Sequence, residues 1–510
     1  MRVWPAGRAE AFLIQIDPTR WKLPPYAHQV QGVRDLITKP VLGLFWQMRC
    51  GKSKAVIDAA CELHQAGELD VVVVVAPAQV IEVWGDRTLG EVYTHSWGNI
   101  ILSRWKGNCF LPKMPLNALW IVLTSLEYLR QEGDKACNYP KTDALLDTLK
   151  LLVIPVAKRW LVIDEGSALG TPTSAQTRAV LQLRKGFERV TMLDGTPAGD
   201  STKAVYSKFK VLDPKILNFK NQKQFLLRHA VYDKPGRYQR VVGYKRLEEL
   251  TAKSAPYVSR VEAKDVLDMP SKVRSFITVP LTPKTWDAYR SLRDQAILEI
   301  EKGICVVQHA PVLVMRLAQI CAGYIGGVHL DKPEITSAFE LSSEATDGLL
   351  DWLRRRLDED SSFKCVVWSR WRAEIERLNK RLVSEFSGMD CGTMWGEVKT
   401  ENFLHPRSAH DPKTAGVLVC QPQACQYGVS FAKATTAVYL SQGYSLVTRQ
   451  QTEDRIQAPE TRNHSYLVDV LVTGPKGERT VAHDVRAALL KKEDVALRTI
   501  AGWKKALEVE

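Results

Sequence analysis

The tripeptide Gly51-Lys52-Ser53 stands where a short apolar run meets a helical pattern. Residues 41–45 read VLGLF, and apolar side chains recur at helical spacing downstream of Ser53. A strand-to-helix turn offers backbone N–H groups and the positive end of the helix dipole to a phosphate. Lys52 at such a turn can reach the β- and γ-phosphates of a nucleotide, and Ser53 can hold Mg²⁺. Although Trp46 replaces the first glycine of the general pattern, the setting predicts a nucleotide site.

A second candidate group is the acidic pair Asp164-Glu165, which follows the apolar run WLVI. Carboxylates at the carboxyl end of a strand suit metal and water chemistry beside a phosphate loop. Asp164 can bind Mg²⁺ through water, and Glu165 can orient and deprotonate an attacking water. The pair is therefore predicted to complete the nucleotide site.

Positive charge is concentrated between Lys208 and Arg246. Eleven Lys and Arg face only two Asp in these 39 residues, a net charge of +9 out of +13 for the whole chain. Aromatic residues are interleaved with the charges. Lys and Arg drive nucleic-acid binding by neutralising phosphates, so one interpretation is a nucleic-acid surface. The other is a solvated helical hairpin with a few core aromatics.

Composition limits the class of protein. The 510 residues are 45% hydrophobic and 25% charged, as in soluble globular proteins. The longest clean apolar run, VVVVVA, is far shorter than the roughly 18 residues that span a bilayer. The amino terminus has no apolar signal core, which favours a cytoplasmic protein without a membrane partner. The ten cysteines lack zinc-ligand spacing and are interpreted as reduced thiols.

Further motifs appear in a fixed order along nearly the whole chain and resemble superfamily 2 DNA-dependent ATPases of the Swi/Snf-like branch, in the compact form common in bacteriophage genomes. The matching segments are LPPYAHQVQGV, FWQMRCGKS, VVVVVAPAQVIEVW, IVLTSLEYLR, LVIDEGS, MLDGTPAGDS, KCVVWSRWRAEIERL and VLVCQPQACQYGVSFAKATTAVYLSQGYSLVTRQQTEDR.

The resemblance implies roles for individual residues. ATP and Mg²⁺ are the expected cofactors. The catalytic group would be Lys52, Glu165 and Arg455; nucleotide contacts would come from Gln29, Arg49, Cys50, Gly51, Lys52, Ser53, Asp164 and Gln451, with Ser53 and Asp164 holding the metal. Gln451 is expected one helical turn before Arg455, on the same face. DNA contacts are expected at Pro77, Trp84, Thr124, Lys220, Lys223, Arg228, Arg237, Arg240, Ser369 and Gly428.

Several positions depart from the family pattern. Ser167 replaces a frequent histidine and, with Thr196, is expected to couple ATP state to DNA. Asp194 replaces a threonine, and Arg49 stands where many relatives carry glycine. The second arginine usual in the last motif is Ala458 here. Arg462 lies beyond Pro459, which is expected to end or kink the helix, so Arg462 is predicted not to replace it.

The elements that must position these residues follow a repeated strand-helix-strand pattern, which predicts an α/β protein with parallel sheets. The resemblance implies that these sheets form two RecA-like lobes in tandem, with a basic insertion between the lobes. The predicted boundaries are residues 1–207 for the first lobe, 208–270 for the insertion and 271–510 for the second lobe.

The leading hypothesis is a DNA-dependent ATPase that moves along or remodels duplex or branched DNA without sequence specificity, in phage replication, recombination or repair. Its expected location is the cytosol of a bacterium or of a phage-infected host. Two alternatives stay open: an ATP-gated DNA-binding protein that hydrolyses little, and an RNA helicase. The long basic segment and the form of the last motif disfavour the RNA helicase.

Overall fold

A computed structural model describes most of the chain. The described residues are 14–88, 90–106, 117–133, 138–152, 154–195, 202–232, 241–301, 310–329, 332–396, 398–406, 408–425, 429–457 and 464–507. Their helices are α1 Ala27–Thr38, α2 Lys52–Gln65, α3 Ala78–Gly85, α4 Glu91–His95, α5 Leu126–Leu129, α6 Pro140–Leu151, α7 Ala175–Arg184, α8 Thr202–Leu212, α9 Pro214–Leu217, α10 Gln222–His229, α11 Leu247–Ser254, α12 Ala263–Val266, α13 Pro283–Glu301, α14 Ala310–Cys321, α15 Glu344–Glu359, α16 Arg372–Glu385, α17 Leu446–Glu453 and α18 Val481–Leu507.

The strands alternate with these helices in each half of the chain. They are β1 Val41–Trp46, β2 Val71–Ala76, β3 Ile100–Arg104, β4 Leu119–Ser125, β5 Arg159–Ile163, β6 Arg189–Leu193, β7 Ala230–Tyr232, β8 Val241–Tyr244, β9 Val258–Val261, β10 Lys272–Pro280, β11 Tyr324–His329, β12 Lys332–Glu340, β13 Lys364–Trp368, β14 Asp390–Trp395, β15 Val398–Lys399, β16 Gly416–Cys420, β17 Thr436–Tyr439 and β18 Ser465–Thr473.

The first large sheet has the order β3-β4-β2-β5-β6-β1-β9, and all its strand pairs are parallel. Its central strands are buried on both faces, which explains their unbroken apolar sequences. All six residues of β2 are buried, and so are all five of β5. Because parallel strands end at the same edge, the loops after β1, β2, β5 and β6 lie along one edge of this sheet.

The second large sheet has the order β10-β18-β17-β13-β16-β14-β15. Its pairs are parallel except β14 with β15, which run antiparallel. The strands β13, β16 and β17 are fully buried at its centre. Two parallel-dominated sheets connected by helices confirm the predicted α/β class with two RecA-like lobes.

The chain forms two compact units. One comprises Met1–Leu267 with Val495–Glu510, and the other comprises Asp268–Asp494. Residues 208–267, predicted as an insertion, are therefore grouped with the first unit, and so are the final residues that the sequence placed in the second lobe. Within the described ranges, no helix is both long enough and apolar enough to cross a membrane.

The basic segment contributes to the core of the first unit. Phe209 and Phe225 are buried there, and Phe225 stacks on Tyr206 with ring centroids 5.0 Å apart. Phe45 of β1 contacts Phe209 edge-on at 6.0 Å. Phe209 and Phe225 therefore pack inside the unit, as the interpretation with a few core aromatics predicted. The segment itself forms short helices and the antiparallel pair β7–β8, not a helical hairpin.

Candidate functional site

The loop between β1 and α2 has the backbone of a phosphate loop. Gly51 precedes α2 with φ 74°, and a Cβ atom there would lie 2.1 Å from Nε2 of Gln29. Only glycine satisfies both the left-handed φ and this close approach. Arg49 also has a left-handed φ of 69°, which explains why glycine is usual at its position. The loop therefore takes a glycine-like path despite its few glycines.

Trp46 does not obstruct this loop because its side chain points away from it. The buried indole donates a hydrogen bond from Nε1 to Oγ of Ser259 on β9, at 3.0 Å. Its ring lies over Gly32 of α1, where a Cβ would come within 2.3 Å of the ring carbons. The side chain thus occupies space that Gly32 leaves open. Tryptophan at the position of the first P-loop glycine therefore does not fill the loop.

Lys52 is held at the mouth of the loop. Its ammonium donates to the backbone carbonyls of Trp46 at 2.9 Å and Gln47 at 3.2 Å. Gln47 is itself fixed to the end of β9, because its N–H donates to the carbonyl of Val261 and its side-chain oxygen accepts from the N–H of Ala263. Sequence reasoning missed this support by the segment after β9, since nothing in the motif indicates it.

Gln29 is placed against the same loop. It is buried on α1, and its Nε2 donates to the carbonyl of Cys50 at 3.3 Å, while its Oε1 accepts from the N–H of Tyr26. His28 contacts the same carbonyl at 2.9 Å. The structure therefore brings Gln29, Cys50 and Gly51 together, whereas a contact of Gln29 with adenine stays a prediction.

Asp164 follows β5 and lies in a buried, hydrogen-bonded position. Its Oδ2 accepts from Nε1 of Trp84 at 2.8 Å, and its Oδ1 accepts from the N–H of Glu165 at 2.8 Å. Burial raises the pKa of this carboxyl, and the Trp84 hydrogen bond and the charge of Lys52 oppose the rise. Asp164 follows β5 and the loop of Lys52 follows β1, so both lie at the same edge of the first sheet.

Glu165 has a left-handed backbone, with φ 54°, and its side chain is half-buried. Such a conformation is uncommon for a residue with a Cβ and concentrates at functional sites. Gly166 follows because a Cβ there would lie 2.6 Å from Sδ of Met192 on β6. Ser167 is half-buried in the short 3₁₀ turn Gly166–Leu169, and its predicted coupling role stays a prediction.

Asp194, at the end of β6, forms a buried ion pair that the sequence did not predict. Its Oδ2 lies 2.5 Å from Nζ of Lys208 on α8, and both side chains are almost fully buried. Lys208 was counted among the surface charges of the basic segment, and that interpretation is wrong for this residue. Thr196, two residues beyond Asp194, lies outside the described residues.

In the first unit, three residues that were predicted to contact DNA are buried, which corrects these predictions. Trp84 is 1% exposed and bonded to Asp164, and Thr124 is 1% exposed with its hydroxyl donating to the carbonyl of Trp105. Pro77 is buried as the residue before α3. None of these three side chains reaches solvent. Exposed residues beside them include Ala78, Gln79 and Glu82.

The described basic residues differ in their surroundings. Lys220 and Lys223 are exposed at the start of α10. Arg228 instead donates two hydrogen bonds to Oε2 of Glu249, at 2.8 and 3.0 Å. Hydrogen bonds from Arg228 and Lys253 lower the pKa of Glu249 to about 2, so this carboxylate is charged near neutral pH and offsets Arg228. Arg237 and Arg240 lie outside the described residues.

In the second unit, Gln451 lies in the last turn of α17 and Arg455 lies just after it. Helix α17 ends at Glu453, and the N–H of Arg455 donates to the carbonyl of Thr452 in the turn that follows. A shared face for Gln451 and Arg455 stays a prediction. Gln451 is buried at 2% exposure. Arg455 donates from Nη1 to the carbonyl of Val429 at 3.1 Å. Residues 458–463, which include Ala458, Pro459 and Arg462, lie outside the described residues.

A buried charge network holds α17 against the second sheet. Arg449 donates to Glu453 at 2.7 Å and to Asp469 of β18 at 2.5 Å, and its guanidinium lies over the ring of Tyr439. Burial opposes ionisation of Glu453, but the charges of Lys272, Arg449 and Arg274 hold its pKa below the ordinary value. The network fixes the helix to β10 and β18.

Ser369, after β13, is fully buried, which corrects its predicted contact with DNA. Its hydroxyl donates to Oε2 of Glu374 at 2.5 Å. The hydroxyl of Ser441, after the neighbouring strand β17, donates to the same oxygen at 2.5 Å. The cluster fastens two loops at the edge of the second sheet. Gly428 lies outside the described residues.

A protein-family model described as the SNF2-related domain matches residues 41–323, more than half of the 510 residues. The chain belongs to the SNF2-related domain family. The matched part of this SNF2-related chain contains the phosphate loop, the acidic pair and Asp194, whereas Arg455 lies beyond it.

The SNF2-related chain is also similar to individual proteins. It is 25% identical over 294 residues to the helicase-like transcription factor of Homo sapiens, a match that covers 53% of this chain and 26% of that protein. The Mus musculus protein of the same name is 24% identical over 290 residues, covering 54% and 26%. The chain therefore spans about a quarter of the length of these curated relatives.

Two solved structures show a distant likeness to the SNF2-related chain. The Sulfolobus solfataricus SWI2/SNF2 ATPase core in complex with dsDNA has 17% identity and a TM-score of 0.41, covering 90% of each chain. The Sulfolobus solfataricus SWI2/SNF2 ATPase core domain has 17% identity and a TM-score of 0.41, covering 94% of this chain and 91% of that one.

Proposed function

We propose that this SNF2-related protein is a DNA-dependent ATPase that translocates along or remodels duplex or branched DNA, without sequence specificity. The observation that carries the proposal is the arrangement at one edge of the first sheet. The loop of Lys52 follows β1, and Asp164 and Glu165 follow β5, with only β6 between the two strands. This juxtaposition of a phosphate loop with an acidic pair supports nucleotide hydrolysis.

The chain's own residues fit ATP and Mg²⁺. Helix α2 begins at Lys52, directly after the turn at Gly51, and the backbone N–H groups of a helix amino terminus favour an anion. Ser53 and Asp164 offer hydroxyl and carboxylate oxygens, the ligands that Mg²⁺ prefers. When bound, the metal would neutralise charge on the phosphates. These features support Ser53 and Asp164 as the metal-holding pair and Lys52 as the phosphate contact.

Each residue then has a definable task. Lys52, held by loop carbonyls, can transfer its hydrogen bonds to phosphate oxygens with little movement of its backbone. Glu165 would accept a proton from the attacking water. Its backbone N–H meanwhile helps to orient the carboxylate of Asp164. Arg455 is proposed to stabilise charge on the transferred phosphate, the role of an arginine finger.

The case for DNA is the basic surface, together with the family. Lys223 on α10 and Lys220 just before this helix are exposed and can neutralise phosphates of any sequence. We extend the proposal to residues 208–270 as the segment that adds DNA contacts to the first lobe. A place in phage replication, recombination or repair, in the bacterial cytosol, is part of the same proposal.

An ATP-gated DNA-binding protein with little hydrolysis is the second candidate, and Ala458 is the observation that favours it, because the last motif lacks its second arginine. The deciding experiment measures ATP turnover alone and with duplex DNA, single-stranded DNA or RNA. The proposal expects turnover stimulated by duplex DNA. DNA binding without turnover would support the second candidate, and stimulation by RNA alone would indicate an RNA helicase.

A further inference from the structure

Trp84 and Asp164 are joined by a buried hydrogen bond across 80 positions of sequence. Trp84 lies on α3, which follows β2, and Asp164 follows β5, the neighbouring strand of the sheet. The indole Nε1 donates to Oδ2 at 2.8 Å, and both side chains are buried. A buried indole N–H generally needs an acceptor, and for Trp84 this acceptor is the carboxylate of the acidic pair.

The hydrogen bond fixes the orientation of the carboxylate. An indole N–H is a donor only, so it selects one oxygen of Asp164. The other oxygen accepts from the N–H of Glu165 at 2.8 Å. Rotation of the carboxylate about its Cβ–Cγ bond would break both hydrogen bonds. Each oxygen retains acceptor capacity, which a metal-bound water can use.

The donor itself is held in place, because α3 is fastened at both ends. The N–H of Ala78 donates to Oε2 of Glu127 at 3.0 Å, and Glu82 pairs with Arg104 at 2.6 Å. Gly85, the last residue of α3, approaches the neighbouring strand so closely that a Cβ would lie 2.8 Å from Cδ1 of Leu123. Trp84 is therefore presented to Asp164 by a fixed element.

We infer that Trp84 is a positioning residue that orients Asp164 for the Mg²⁺ of a bound nucleotide. The inference rests on the proposed nucleotide function, and it gives Trp84 a role other than the contact with DNA expected from the sequence. Groups that hydrogen-bond to metal ligands generally fix their orientation, and their loss typically lowers metal affinity or activity about 10–100-fold.

The test compares Trp84→Phe with Trp120→Phe. Each change keeps an aromatic ring and removes one buried indole N–H. Nε1 of Trp120 donates to Oγ of Ser103 at 2.9 Å, near the start of β4 and so towards the opposite edge of the sheet. Affinity for a fluorescent ATP analogue is measured with Mg²⁺ and with a chelator. Trp84→Phe should lose about tenfold or more of the affinity gained from Mg²⁺. With chelator, its affinity should match wild type.

The outcomes separate this inference from the proposed function. If wild type gains affinity from Mg²⁺ and Trp84→Phe gains as much as Trp120→Phe does, the positioning role is overturned and the ATP site stands. If wild type binds no nucleotide, both are overturned. Should Trp84→Phe not fold, the indole N–H resonances of nucleotide-bound wild type are followed as Mg²⁺ is added. A shift in one tryptophan signal, with that of Trp120 unchanged, supports the role; no shift overturns it.

Discussion

Nζ of Lys208 lies 2.5 Å from Oδ2 of Asp194, and neither side chain reaches solvent by more than 1%. Asp194 replaces the threonine usual in this motif, and Lys208 supplies a buried counter-charge from the next helix. Removing one partner leaves a buried charge without its counter-ion, which typically costs about 3–5 kcal/mol. Replacing either residue alone is therefore expected to destabilise the protein.

Lys208→Met should lower the free energy of unfolding by about 3–5 kcal/mol, measured by chemical denaturation. The double change Asp194→Leu with Lys208→Met should recover most of the loss, since no buried charge is left. Lys150→Met is the control, because Lys150 pairs with Asp147 at 2.8 Å on the exposed surface. It should cost less than about 1 kcal/mol. A similar effect at both lysines would contradict the buried pair.

Packing between Trp46 and Gly32 gives a second prediction. Gly32→Ala should destabilise the protein by about 1–3 kcal/mol, because the new Cβ overlaps a buried ring. The gain in helix propensity, about 1 kcal/mol, offsets only part of this. In a double-mutant cycle with Trp46→Leu, the cost of the alanine should largely disappear. Gly443→Ala serves as the control, since nothing lies within 4 Å of its added Cβ. Additive effects would contradict the contact.

Substitutions within and beside the basic segment are predicted to change DNA affinity in opposite directions. Lys220→Ala with Lys223→Ala should weaken DNA binding and reduce the slope of log K against log salt by about 0.9 for each lost contact. Arg228→Ala should matter less, because Glu249 already offsets its charge. Glu249→Gln should strengthen binding by releasing Arg228 and removing a negative charge. Measurements across a salt series would refute the assignment if the lysine variant kept the wild-type slope.

Arg455 gives a prediction for the second unit. An arginine finger contributes about 10³–10⁵ in rate, so Arg455→Ala should abolish DNA-stimulated hydrolysis. Arg462→Ala should cost less than about tenfold, or 1.4 kcal/mol of barrier. Arg372→Ala is a control for loss of charge, since Arg372 is exposed and pairs with Glu376. Steady-state ATP turnover with saturating DNA measures all three. An equal loss at Arg462 would assign the finger to that residue.

Local patterns predicted much of the fold. The run VVVVVA coincides with β2, and VLGLF falls within β1, because strands buried on both faces are apolar throughout. The turn at Gly51-Lys52-Ser53 was also predictable from local sequence, because an apolar run precedes it and a helical pattern follows it. By contrast, the direction of Trp46 depends on Gly32 and on Ser259, which lies 213 residues away. No local pattern contains that information.

Other features that the sequence did not predict also depend on contacts between residues that are distant in sequence. Lys208 looks like one more surface charge until α8 packs against the end of β6 and buries it. Trp84 falls in a segment that family resemblance associates with DNA, yet the fold turns it inward to Asp164. Helix α17 is held at Glu453 by Lys272 and Arg274 of β10, which are distant in sequence. In each case a long-range contact decided the outcome.

ATP turnover with and without duplex DNA tests the central claim most directly. It is measured for wild type, Lys52→Ala and Glu165→Gln, with binding of a fluorescent nucleotide recorded in parallel. The account predicts DNA-stimulated turnover in wild type, weakened nucleotide binding in Lys52→Ala, and bound nucleotide without turnover in Glu165→Gln, because only the water-activating group is lost. Near-normal turnover in Glu165→Gln, or a wild-type rate that duplex DNA leaves unchanged, would contradict it.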